Sequence, residues 1–304
     1  MYWVLTPRPC YKKHHIYSMK KTVAIIGVGL IGGSLASGLR KSTWCENIIG
    51  IDANPDAIQA AQQLNIINQG FSSVSQCEQV PDVVVIAVPV MKVGTICALI
   101  KPWFETAAAI TDVASVKQSV IDDVKAVFNG HLPNNFIPGH PIAGLEKSGV
   151  RASKCDLFEG RKVILTPFEQ ASAESIRLVT SMWEQVGASI ETMSAQVHDK
   201  ILASTSHLPH ALAYSLVHCL ARQSHTEEIF RYAASGFADF SRIASSDPEL
   251  WKEICMANRN ELLAAIEQFE LCLKDLHESL INNDGDRIQE IFYDAKSARD
   301  RFVK

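Results

Sequence analysis

Four stretches of this chain carry side chains that can move protons and hold anions: Thr111-Asp112-Val113-Ala114-Ser115, Gly139-His140-Pro141-Ile142-Ala143-Gly144-Leu145-Glu146-Lys147-Ser148-Gly149, Ser206-His207-Leu208-Pro209-His210, and Gly236-Phe237-Ala238-Asp239-Phe240-Ser241-Arg242-Ile243-Ala244. His140 follows a predicted strand, Phe136-Ile137-Pro138, and a glycine and a proline fix its backbone. A histidine at the carboxyl end of a strand suits a general base, although alone it would equally serve as a hydrogen-bonded strut. Ser115, past the end of another strand, can bond to that histidine or to a substrate hydroxyl, or cap a helix beginning at Val116. His207 and His210 are three apart and so share a helical face. With no third or fourth ligand nearby, they suit substrate contact better than metal, and no metal site is expected. Pro209 inside that helix frees a carbonyl, so a local distortion is expected. Arg242 offers a planar fork for a carboxylate; a salt bridge to Asp239 or Asp247 is the plain alternative.

Something must bring these stretches together, and the start of the chain says what. Thr22-Val23-Ala24-Ile25-Ile26 runs straight into Gly27-Val28-Gly29-Leu30-Ile31-Gly32, and a helix-compatible segment follows. Strand, tight glycine turn and helix are what a dinucleotide's pyrophosphate needs. Gly27 permits the turn, Gly29 lets the phosphates approach the backbone, and Gly32 lets helix and strand pack closely, while Leu30 and Ile31 open the helix with unpaired N–H groups. Asp52, 20 residues after Gly32, ends a second apolar run, Ile48-Ile49-Gly50-Ile51, and is placed to accept both ribose hydroxyls. Its neighbours Ala53 and Asn54 supply no cation for a 2′-phosphate, so the expected cofactor is NAD and not NADP.

The remaining pattern is α/β and then all-α. Val83-Val84-Val85-Ile86-Ala87-Val88-Pro89 reads as a parallel strand buried on both faces. Ala87, Val88 and Pro89 then fall at the carboxyl edge, where cofactors lie. Strands are also expected at Ala107 to Thr111, Lys162 to Thr166 and Ala188 to Thr192. Helices are expected at Pro55 to Leu64 and from about Ser172 to Val186. From Ser194 onward the spacing is helical throughout, with breaks near Gln223 to Thr226, Gly236, Asp247-Pro248 and Asn282 to Gly285. The expected architecture is a Rossmann-like doubly wound sheet, residues 19–193, followed by an all-α substrate and dimerisation domain, residues 194–304. The helical part has more apolar positions than ~110 residues can bury alone, which points to a homodimer.

Bulk properties exclude several classes. The 304 residues are 47% hydrophobic and 20% charged with a formal net charge of −4. No basic surface for nucleic acid or for a membrane is indicated. No apolar run reaches the ~18 residues of a membrane span. Eight cysteines without a C-x-x-C read as reduced thiols of a cytoplasmic protein. Residues 1–18 carry cations and two prolines but no secretory core, and read as a disordered extension before Met19.

In this order and behind this glycine turn, the four stretches resemble the prephenate/arogenate (cyclohexadienyl) dehydrogenase family of tyrosine biosynthesis. The likeness runs from about Lys20 to about Asn260 and is most specific at Gly139 to Gly144 with Glu146 to Gly149, at Ser206 to His210, and at Gly236 to Arg242 with Ser246-Asp247-Pro248 and Trp251. The resemblance implies oxidative decarboxylation of a cyclohexadienol with NAD, giving 4-hydroxyphenylpyruvate from prephenate or tyrosine from arogenate. It also implies that His140 takes the ring hydroxyl's proton and that Ser115 orients histidine, hydroxyl and nicotinamide. Arg242 would hold a substrate carboxylate, and His207 would line the substrate pocket. Tyrosine, as an inhibitor, would have to act in the active site.

One position departs from the family. Leu145 stands where many relatives carry a small hydroxyl residue and cannot replace its hydrogen bond. Glu146 beside it could favour an ammonium over a ketone and so lean towards arogenate. Two other readings compete: a β-hydroxyacid-type dehydrogenase using Lys200 as acid/base, and a non-catalytic NAD sensor. The presence of His140, Ser115 and Arg242 together argues against the sensor.

Overall fold

The computed structural model describes residues 21–145 and 147–302. The expected extension, residues 1–18, and Glu146 lie outside the described residues. The first half follows the alternation of the sequence: β1 (Lys21–Ile26), α1 (Leu30–Lys41), β2 (Cys45–Ile51), α2 (Pro55–Gln63), β3 (Gln69–Phe71), β4 (Val83–Ile86), α3 (Val93–Leu99), β5 (Ala109–Asp112), α4 (Gln118–Val127) and β6 (Phe136–Ile137). The six strands form one parallel sheet of order β3-β2-β1-β4-β5-β6. β1 and β4 are the apolar runs of the sequence, and nearly every side chain in them is buried, because helices cover both faces of the sheet. The order reverses between β1 and β4, so their carboxyl ends flank the crevice in which such sheets bind ligands.

The chain then leaves this sheet. β7 (Gly139–Pro141) pairs antiparallel with β8 (Lys162–Leu165), which pairs parallel with β9 (Ser189–Thr192). The expected strands at 162–166 and 188–192 therefore do not extend the main sheet. They build a second, three-stranded one, with α5 (Ala173–Glu184) between β8 and β9. His140 sits inside β7, opposite Ile164.

From Ala195 onward the chain is helical: α6 (Ala195–Leu202), α7 (Leu208–Ala221), α8 (Thr226–Arg231), α9 (Ser235–Ser241), α10 (Pro248–Ala257), α11 (Arg259–Ile281) and α12 (Gly285–Phe302). Gly236 lies within the first turn of α9, so the break expected there falls just before it. The distortion expected at Pro209 is a π-helical turn, Ala203–His207, joining α6 to α7. Proline cannot donate to the preceding turn, and the ring of His210 instead meets the Ser206 carbonyl at 2.9 Å. Asp247 caps α10 through the Glu249 N–H, with Pro248 at the first helical position. Among the described residues no helix is long and apolar enough to cross a membrane.

Candidate active site

The site has two ends, and the cofactor end is built from backbone. Gly27 turns the chain at φ +96, a conformation that favours glycine. A Cβ there would meet the Ala87 carbonyl oxygen at 2.3 Å, and one at Gly32 would meet the Gly27 carbonyl oxygen at 2.1 Å. Gly27, Gly32 and Ala87 are thus packed directly on one another, and the Ala87 N–H donates to the Ile26 carbonyl at 2.7 Å. A Cβ on Gly29 would meet no protein atom within 4 Å. Open space at that one position, over the N–H groups of Leu30, Ile31 and Gly32 at the start of α1, fits a pyrophosphate. Asp52 is half-buried, and its two oxygens accept from Val28 N–H at 2.8 Å and Asn54 N–H at 2.9 Å. These bonds aim the carboxylate at the turn and leave it lone pairs for ribose hydroxyls. Ala87 and Val88 are half-buried at the sheet edge, with Pro89 exposed beyond them. The residues present therefore fit a dinucleotide.

The other end is built from side chains that are distant in sequence. Lys117 is fully buried, its Nζ paired with Asp112 and donating to the Gly139 carbonyl at 2.6 Å. Asp112 in turn accepts from the Ala114 N–H at 2.9 Å and the Gly139 N–H at 3.2 Å. The backbone entering His140 is clamped on both sides. His140 Nδ1 lies 2.9 Å from Nε2 of His198, and His198 Nδ1 lies 2.7 Å from the Asp199 carboxylate. His198 and Asp199 are buried. Burial, with His198, Lys117 and His207 each adding to the cost of a charge there, holds the His140 imidazole well below its usual range. Burial pulls the Lys117 ammonium down as well, against the upward pull of Asp112 and Asp199.

Asp199 also ties the two halves of the chain together. Its oxygens accept from the N–H groups of Lys117 and Gln118, both at 2.8 Å, and so cap α4 from α6. This corrects the expectation that Ser115 caps a helix beginning at Val116. The helix begins at Gln118, its cap comes from Asp199, and His140 Nδ1 is engaged by His198. Ser115 is left half-buried beside this end of the site.

The helical half supplies the remaining wall. His207 is buried, and Asn258 Nδ2–H, which also donates to the Asp199 carbonyl at 2.8 Å, bonds to its Nδ1 at 3.0 Å. The Nε2 of His207 is buried with no partner among the described residues. Burial pushes this imidazole down to about 4, an effect the Asp199 carboxylate opposes. His210 stacks on Trp251 with ring centroids 3.5 Å apart. Burial lowers His210 too, and the charge of Arg242 adds to this, so the two groups share one side of the site. Arg242 is exposed on a short turn that the Tyr214 hydroxyl pins through the Ser246 carbonyl at 2.6 Å. Lys200, on which the β-hydroxyacid reading depends, is exposed on α6, whereas the neighbouring His198 and Asp199 turn inward.

The sequence reading missed His198, Asp199, Lys117 and Asn258. The His198-Asp199 dipeptide was a visible signal, but adjacent helical residues do not normally face each other. An asparagine at the junction of α10 and α11 was the only mark of Asn258.

Comparison with known proteins places this arrangement. Residues 35–192 match the family model described as prephenate dehydrogenase, nucleotide-binding domain, and residues 194–294 match prephenate dehydrogenase, dimerization domain. The chain is 36% identical to the cyclohexadienyl dehydrogenase of Zymomonas mobilis over 92% of its own length and 95% of the relative's. It is 34% identical to the prephenate dehydrogenase of Bacillus subtilis, covering 93% of this chain and 76% of that one. Among solved structures it superposes with a TM-score of 0.87 on prephenate dehydrogenase from A. aeolicus in complex with hydroxyphenyl propionate and NAD+, at 39% identity, covering 93% of this chain and 98% of that one. For the Synechocystis arogenate dehydrogenase the TM-score is 0.77 at 25% identity, covering 93% of this chain and 100% of that one.

Proposed function

The chain belongs to the prephenate dehydrogenase family, and from that premise we propose that His140 is the base with which it oxidises a cyclohexadienol. The enzyme is an NAD-dependent dehydrogenase that oxidatively decarboxylates prephenate and/or arogenate, giving 4-hydroxyphenylpyruvate and/or tyrosine. Bound NAD supplies the hydride acceptor, held by Gly27, Gly29, Leu30, Ile31, Gly32 and Asp52 and bordered by Ala87 to Pro89. His140 holds the ring hydroxyl and takes its proton as the hydride leaves the same carbon. The ring carboxylate departs as carbon dioxide, and its electron pair completes the aromatic ring. Aromatisation drives the reaction, so the protein has only to position the groups, remove one proton and hold the anion.

Ser115 orients the hydroxyl beside His140, the Nε2–H of His207 donates to a substrate oxygen, and Arg242 anchors a carboxylate with His210 beside it. The observation that carries this reading is the convergence of His140, leaving the sheet edge, with buried His207, whose Nε2 lacks a partner among the described residues. An unpartnered buried donor of this kind is costly unless a ligand meets it. Glu146 serves as partner to the ammonium of arogenate; an unchanged preference between the two substrates in Glu146→Gln would remove it from that role. Tyrosine, which shares the amino-acid side chain of arogenate and is itself the aromatised product, competes in the same site.

The second copy of a homodimer covers the outer helices, where Leu271, Leu280, Ile281, Phe292 and Tyr293 are exposed. The domain division at residues 193 and 194 follows the change from strands to helices there.

The test is NAD reduction by prephenate or arogenate with carbon dioxide release, in the wild type and in His140→Asn. The variant should lose about 10²- to 10⁴-fold in kcat while keeping its KM for NAD. Full activity in the variant would remove His140 as the base.

A further inference from the structure

The base of this reaction does not act alone. Asp199 Oδ1 lies 2.7 Å from His198 Nδ1, and a carboxylate can only accept, so Nδ1 of His198 carries a hydrogen. In the neutral ring Nε2 is then an acceptor. It lies 2.9 Å from His140 Nδ1, which must therefore be the donor. This leaves the lone pair of His140 on Nε2. The tautomer of the base is thus fixed by two buried residues of α6.

We propose that His198 is a positioning residue for His140, holding it in the Nδ1–H tautomer and accepting that proton as the substrate hydroxyl's proton arrives on Nε2. The step balances: the substrate O–H bond breaks as a bond forms to His140 Nε2. The His140 Nδ1–H bond breaks as one forms to His198 Nε2, and Asp199 stabilises the resulting imidazolium. The need for such a partner is physical. Burial disfavours a positive charge on the His140 ring, which His198 faces from α6, Lys117 from the loop before α4 and His207 from the π-helical turn, and the Lys117 ammonium repels one. The carboxylate in line with the pair is Asp199, beyond His198.

The inference rests on His140 being the base, and two variants separate the two claims. His198→Gln keeps an acceptor for Nδ1–H but cannot carry a proton away. It should lower kcat about ten- to hundredfold, up to the lower end of direct general acid–base effects, with KM values for substrate and NAD changed less than about threefold. The acid limb of its kcat/KM profile should also move to lower pH. A proton on His198 Nε2 would turn that acceptor into a donor and force the wrong tautomer on its neighbour. The glutamine of the variant takes no such proton.

A purely structural role would lower activity without moving that limb. Unchanged kcat and an unmoved limb in His198→Gln, with His140→Asn inactive, would overturn the relay and leave the base standing. An active His140→Asn would overturn the base itself. If His198→Gln fails to fold, the wild type decides. Its rate in mixtures of light and heavy water should show two protons in motion, and a one-proton dependence would overturn the proposal. In the free protein, nitrogen NMR of the histidine rings should find His140 as the Nδ1–H tautomer.

Discussion

At the glycine turn the protein meets its ligand with backbone, and at the far end of the same cleft with side chains. The turn is built mostly of backbone at three neighbouring strand ends: Gly27 and Gly32 locked against Ala87, open space over Gly29, and Asp52 held by Val28 and Asn54. The proton-transfer end draws on Asp112 and Lys117, His140, His198 and Asp199, His207 and Asn258, every one of them tied to at least one other. A backbone site is cheap to specify, because local geometry makes it. A side-chain site depends on buried charges and rings that are each costly if a partner is lost. The difference teaches where mutations should hurt the fold and where they should hurt only binding.

The sharpest attack on that contrast is Lys117→Met. It strands Asp112 on two backbone N–H groups and leaves the Gly139 carbonyl without its ammonium. Breaking one side of a fully buried pair costs about 3–5 kcal/mol, which chemical denaturation should read directly. A loss below about 1 kcal/mol would mean that the backbone holds both ends alike.

Acid should strike the same end next. His207 titrates at about 4 in the fold and near 6.5 when unfolded, with Asp199, His198 and His210 facing it. Between those values the unfolded chain binds the extra proton, so stability rises with pH through the window and is lost as pH falls from 6.5 towards 4. At pH 5 this amounts to about 2 kcal/mol relative to pH 7. Denaturation curves at the two pH values should show it in the wild type and show less of it in His207→Gln.

The same contrast explains what could be read from the sequence. The turn, Asp52, the main strands and the helical second half are local patterns, and their spacing is enough to find them. The small second sheet was not legible, because Lys162–Leu165 looks the same whether it joins the first sheet or another. His140, His207 and Arg242 were visible as residue types, but what surrounds them was not. Asp199 caps a helix that begins 81 residues earlier, at Gln118, and Ser115 had been the local choice for such a cap. Long-range pairing of this kind leaves no periodicity behind.

The smallest expected effect separates the two ends most cleanly, because it changes binding without changing the fold. Gly29 has φ −88, which any residue adopts, and a Cβ there meets no protein atom within 4 Å. Gly29→Ala should therefore denature like the wild type. Its methyl would occupy the space over the first N–H groups of α1, and the Kd for NAD should weaken about tenfold, or roughly 1.4 kcal/mol. Gly32→Ala is the control. Its Cβ would lie 2.1 Å from the Gly27 carbonyl oxygen and 2.9 Å from Ile25 Cγ2, so it should lose about 1–3 kcal/mol of stability before any ligand is added. NAD affinity unchanged in Gly29→Ala, by calorimetric titration, would place the pyrophosphate away from Gly29. The backbone end would then owe its glycines to helix packing alone.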